Sequence, residues 1–143
     1  KARENPGDRA VAAQIKAIDE QNGAMVQKAD RSAEKFPDSD KIQRAAGAVA
    51  IQAGDYKKGL AYADRAVALA EAKTGDPKAL AAALRTRATG SLWSGDYQKA
   101  AEDAQRVLKV FPDDKGARSI YEMSKGRTRS GVVAIATTQS RPL

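Results

Sequence analysis

An all-α fold built from repeated helix–turn–helix units is what this sequence predicts, and three observations carry the prediction. The stretch GDYKKGLAYADR from Gly54 returns as GDYQKAAEDAQR from Gly95, with Gly, Asp, Tyr, Lys, Ala and Arg kept in register 41 residues downstream. Ala-x-Arg recurs at Ala29/Arg31, Ala63/Arg65 and Ala104/Arg106, spaced by 34 and then 41 residues. The third observation is compositional: apolar residues make up 42% of the chain but aromatic ones only 5%. A core made mostly of Ala, Leu, Val and Ile suits helices that approach closely.

The first residues, KARENPGD, read equally well as the end of a preceding unit and as an arm capped by Asp8. Pro6, Pro37, Pro77 and Pro112 lie 31, 40 and 35 residues apart, close to one repeat period each, so a longer array is one expectation. Helices are expected near 9–19 and 23–35, broken around the Asn-Gly of EQNG. Phe36-Pro37-Asp38 ends the second of them, because a residue before proline avoids the helical region. The next pair is expected near 40–53 and 56–73. Gly54 takes the left-handed turn that closes one helix, and Asp55 caps the start of the other. In this unit the proline, Pro77, comes fourteen residues after Ala63, where Pro37 and Pro112 each come eight after their alanine. With one further residue before Gly95, the insertion amounts to about two helical turns and returns the helix to nearly the same face. A third pair near 78–93 and 97–110 repeats the corner at Gly95 and Asp96. Phe111-Pro112-Asp113 closes it, and a final helix near 115–125 covers its open face.

These marks resemble the tetratricopeptide repeat, a family whose unit is an antiparallel helix pair of about 34 residues. SGDYQKAAEDAQRVLKVFPDD and AGDYKKGLAYADRAVAL carry its Gly-x-Tyr turn and second-helix Ala, and the former its closing Pro. EQNGAMVQKADRSAEKFPDS is a degenerate copy without Gly-Asp-Tyr. The family's large aromatic in the first helix is missing, and Arg87 stands where a core leucine is expected. The resemblance implies a right-handed α-solenoid of antiparallel helix pairs. The units fall at about 6–39, 40–80 and 81–114, with a capping helix at 115–126 and a basic, apolar tail or linker at 127–143. VVAIATT in that tail is β-branched and reads as strand-like. The tail could dock on a neighbour or on another copy of the chain.

Composition removes several function classes. Cysteine and histidine are both absent, which excludes disulfides, thiolate–imidazole metal sites and Ser–His or Cys nucleophiles. No phosphate loop, dinucleotide glycine pattern or acid–base dyad is present, so the chain reads as no enzyme, with no cofactor or metal. There is no apolar run long enough to span a membrane. The formal net charge is +7, but residues 115–143 hold six bases against Glu122 alone and residues 1–114 are nearly neutral. Basicity confined to a tail, with few aromatics for base stacking, makes nucleic-acid binding through that tail the weaker of two readings.

The stronger reading is a binding module for a protein or peptide, since stacked helix pairs present a curved inner surface lined by the first helix of each pair. The repeat register sets Arg44 and Arg85 at equivalent positions on successive first helices, with Lys41 one turn before Arg44. Gln14 and Gln52 add amides, and Thr89 lies one turn beyond Arg85. Paired guanidinium groups take a carboxylate in bidentate fashion, which points to an acidic peptide or helix. Ala10, Ala45 and Ala82 stand where the family's carboxylate-clamp members carry specific polar residues, so recognition of chaperone tails is not implied. Trp93 is expected beneath Tyr97 and the turn, and Glu102-Asp103 on an exposed helix face.

Overall fold

The computed structural model describes residues 5–73 and 75–139, with side chains described to residue 127. Its helices follow in order as α1 (Pro6–Lys35), α2 (Asp40–Gln52), α3 (Tyr56–Ala72), α4 (Pro77–Ser94), α5 (Tyr97–Val110) and α6 (Lys115–Gln139). There is no strand among the described residues. Each helix packs on the next, and α2 also meets α4, as α4 meets α6. Helices α2, α4 and α6 therefore share one side of the molecule, with α1, α3 and α5 behind them.

The two copied corners have the same chemistry. Gly54 and Gly95 sit at φ 88° and 96°, the left-handed region in which a side chain would be strained. At each corner the next amide reaches back to close the helix: Asp55 N–H donates to Ala50 O at 2.9 Å and Asp96 N–H to Ser91 O at 2.8 Å. The same aspartates then open the following helix, their carboxylates accepting from Lys58 N–H and Lys99 N–H, both at 3.1 Å. Such caps satisfy amides that have no partner inside the helix.

Small residues set the closeness of the crossings. Ala63, Ala66, Ala88, Ala100, Ala104 and Ala117 are all fully buried. Gly47 and Gly59 face each other where α2 crosses α3, and a Cβ built on Gly59 would lie 2.5 Å from Ile51 Cγ1. Leu84, Leu92, Val107 and Ile120 complete the core between α4, α5 and α6. Gln43 is fully buried at the α1–α2 junction. Its amide donates to Ala33 O at 3.0 Å, a carbonyl that Pro37 leaves without an amide partner as α1 ends, and to Phe36 O at 3.2 Å.

Away from the groove, the chain departs from the sequence expectation in four places. The first unit is not a helix pair: α1 runs unbroken for 30 residues, through Gly23. Gly23 does not take a positive φ, and Ala-Met-Val follows it where Asp follows Gly54 and Gly95, so nothing caps a new helix there. The N-cap of α1 is Asn5, whose side chain accepts from Gly7 N–H at 2.9 Å, rather than Asp8. Gly126 does not end α6, which continues to Gln139 and takes VVAIATT with it as helix. Asp103 is not exposed but buried at 1%. Arg87 approaches it with two nitrogens, Nε at 2.8 Å and Nη2 at 2.9 Å. The Arg87 guanidinium, standing where a core leucine was expected, thus brings its own counter-charge, as burial of a charge requires.

Candidate functional site

An open groove of about 580 Å³ runs between α2, α4 and α6. Along α2 the residues Arg44, Ala48, Ile51 and Gln52 line it, at the spacing that keeps one helix stripe on one side. From α4 come Ala82, Arg85, Thr86, Thr89 and Trp93, and from α6 come Gly116 and Ile120. Four of the residues expected to bind a partner, Arg44, Gln52, Arg85 and Thr89, are therefore brought together. Gln14 is not among them; it lies on the exposed first half of α1. Lys41 stands one turn before Arg44 on α2, exposed and outside the lining.

The two arginines are in different electrostatic states. Arg85 Nη1 is paired with Asp114 Oδ2, the residue whose other carboxylate oxygen caps α6 by accepting from Ala117 N–H at 2.9 Å. Its charge is partly spent on holding α4 to α6. Arg44 has no carboxylate within hydrogen-bonding distance among the described residues. It lies close enough to Asp40 to help hold that carboxyl below its ordinary value, although the main cause is the hydrogen bond from Lys73. The hydroxyls of Thr86 and Thr89 donate to Ala82 O and Arg85 O within α4, so what they offer the groove is acceptor capacity.

Trp93 overturns its expected place beneath Tyr97: it is 53% exposed and borders the groove at the C-terminal end of α4. It also borders a second crevice that Tyr56, Tyr97, Met123 and Arg127 line. There the Arg127 guanidinium lies 4.9 Å from the centre of the Tyr97 ring and donates to the Tyr97 hydroxyl. Arg127, the first base of the tail's basic cluster, is thus engaged with α5. Side chains of the tail from residue 128 onward lie outside the described residues, and so does any docking by them.

The groove thus joins one unpaired guanidinium, one paired guanidinium, an exposed amide and a half-exposed indole over a floor of Ala and Ile. Such a surface can hold a carboxylate beside an apolar or aromatic group. No nucleophile–base pair lies in it, and no group of three potential metal-ligating residues occurs among the described residues. No helix among them is long and apolar enough to cross a membrane. No protein-family model matches this chain, and neither a curated protein nor a solved structure matches it.

Proposed function

We propose that this chain is a non-catalytic scaffold of tetratricopeptide-like build, a right-handed α-solenoid that holds an acidic peptide or partner helix against α2, α4 and α6. The observation that supports this most is Arg44, without a carboxylate partner among the described residues, beside Arg85 and Trp93 in one open groove. A free guanidinium recognises a carboxylate by two parallel hydrogen bonds, and an exposed tryptophan supplies the apolar contact on which binding centres rely. Arg85 joins by exchanging or sharing Asp114, so it contributes less than Arg44.

Trp93 is the only tryptophan in the chain, which makes its fluorescence a report from the groove itself. Titration with a Glu-rich peptide carrying one aromatic residue should shift its emission, while the same peptide with Lys in place of Glu should not. Arg44→Glu combined with Arg85→Glu should abolish the shift and the capture of a natural partner. Full partner binding by that double variant would refute the assignment of the groove.

A further inference from the structure

We propose that the first half of α1 is a self-association surface, on which a second copy of this chain lays its own α1 antiparallel. Every residue from Asn5 to Gln21 is exposed. Helix α1 approaches the rest of the fold only through its second half, where Val26, Ala29, Asp30 and Ala33 become covered. A projecting helix of about four turns is marginal in water by itself, because most helical stability comes from packing an apolar face.

That apolar face is present and has no partner among the described residues. Val11, Ile15, Ile18 and Met25 are 53%, 54%, 55% and 45% exposed. They fall at steps of 4, 3 and 7 residues, the heptad spacing that keeps a seam turned toward another helix. Asn22 fills the remaining seam position. Beyond Met25 the seam passes Ala29 and Ser32 into an apolar groove of about 420 Å³ walled by Ile42 and Val49 of α2.

Charge selects the occupant and its register. In an antiparallel pair centred between Ile15 and Ile18, Ile15 meets Ile18 of the second copy and Val11 meets Asn22. The flanking positions then bring Ala12 to Asp19 and Gln14 to Gln21, with no like charges opposed. Asp8 meets Met25 of the second copy, one turn from that copy's Lys28, whose long side chain can reach back to it, on both sides of the two-fold axis. Sliding by one heptad toward the C-terminus would set Asp19 against Asp19, which is repulsive. A parallel pair would match Asn22 with Asn22, a pairing that such seams accept. It would also press two bodies together at the same end of α1, and it would leave Asp8 and Lys28 far apart. The antiparallel pair keeps the bodies at opposite ends and joins those charges, so a second copy complements this face in shape and in charge.

The chain has no cysteine, so introduced thiols report contacts without background. Sedimentation velocity of the unaltered chain should show a concentration-dependent dimer. Ile15→Asp with Ile18→Asp should weaken dimerisation at least about tenfold. An unchanged melting temperature, compared where both chains are dilute enough to be monomers, would show that the body is intact. A Val11→Cys chain mixed with an Asn22→Cys chain should cross-link faster than either does alone. A monomer at millimolar concentration would overturn the proposal, and so would preferential self-linking of either single-cysteine chain, which marks a parallel pair. If another helix covers this face instead, the chain and its Ile15→Asp/Ile18→Asp variant will both be monomers, and the proposal fails.

Discussion

The α2–α3 pair and the α4–α5 pair turn on the same corner but fill the space behind it differently. Where α2 crosses α3 the backbones touch through Gly47 and Gly59; at the equivalent places in the other pair stand Ala88 and Ala100, both fully buried. Behind α3, Tyr62 hydroxyl and Lys58 reach Asp30 of α1. Behind α4, Arg87 reaches Asp64 of α3 at 3.1 Å as well as Asp103. Asp30 and Asp64 follow the marker alanines Ala29 and Ala63, so they are the same repeat position in two copies. What the copies share is an anion offered by one helix to the next pair. What they differ in is the donor, a phenol and an ammonium in one case and a partly buried guanidinium in the other. Corner chemistry is local and can be copied, whereas the interior behind it is solved afresh in each pair.

Breaking the buried ion pair should have the largest effect. Asp103→Ala leaves Arg87 facing only the exposed Asp64, and should cost about 3–5 kcal/mol in chemical denaturation. Replacing both partners, Arg87→Leu with Asp103→Leu, should recover most of that loss, because a well-packed apolar pair is often as stable as a buried ionic one. If Asp103→Ala proves neutral, the distinction between the two interiors collapses.

Next comes the crossing. Gly59→Ala forces a methyl against Ile51 and should cost about 1–3 kcal/mol, whereas Ala100, at the same repeat position, already carries that methyl fully buried. A Gly59→Ala protein as stable as the original would mean that α2 and α3 can separate without penalty. The corners should behave alike: Gly54→Ala and Gly95→Ala should each cost about 1–2 kcal/mol through the left-handed backbone. Unequal values in thermal melts would show that the copies are equal in form but not in load.

The smallest effects concern pH at the joint between α1 and α3. Burial, reinforced by the hydrogen bond to Asp30, pushes the Tyr62 hydroxyl up to about 12. A raised acid group lends stability that is complete below its ordinary 10.0 and is lost as pH climbs through about 12. Phenolate absorbance should show one late-ionising tyrosine, and Tyr62→Phe should remove that step. At the other extreme the hydrogen bond from Lys58 holds the Asp30 carboxyl below its ordinary 3.8. Stability from Asp30 is therefore present above that value and lost as pH falls beneath it. Melting temperature should decline in acid, and less steeply in Asp30→Asn.

The parts of the fold legible in the sequence were those whose cause lies within a few residues. Gly54-Asp55 and Gly95-Asp96 announce a left-handed turn followed by a cap, and the helices around them begin and end within one or two residues of expectation. Gly23 misled because a glycine alone ends nothing; without a capping residue behind it the hydrogen-bond ladder continues. Asp103 was hidden because its partner is 16 residues away on another helix. The signal existed, since an arginine expected to face the interior requires an acid opposite. In the groove, the equivalence of Arg44 and Arg85 carried the reading. Trp93 belongs to the same four-residue stripe as Arg85 and Thr89, and attention to that spacing alone would have placed it beside them. That Arg85 is already held by Asp114 depends on where α6 begins in space, which no local pattern reveals.

The series of anions has an end written into it. After Asp30 and Asp64 the corresponding place on α5 is Gln105, an exposed amide. A further pair built on the plan of α4 and α5 would bring a cation to that spot and find no carboxylate. α6 attaches by other means, through Arg127 on Tyr97 and Asp114 on Arg85. Lengthening the stack by duplicating a unit would therefore also require an acid at Gln105, a single-residue condition for growth at this edge.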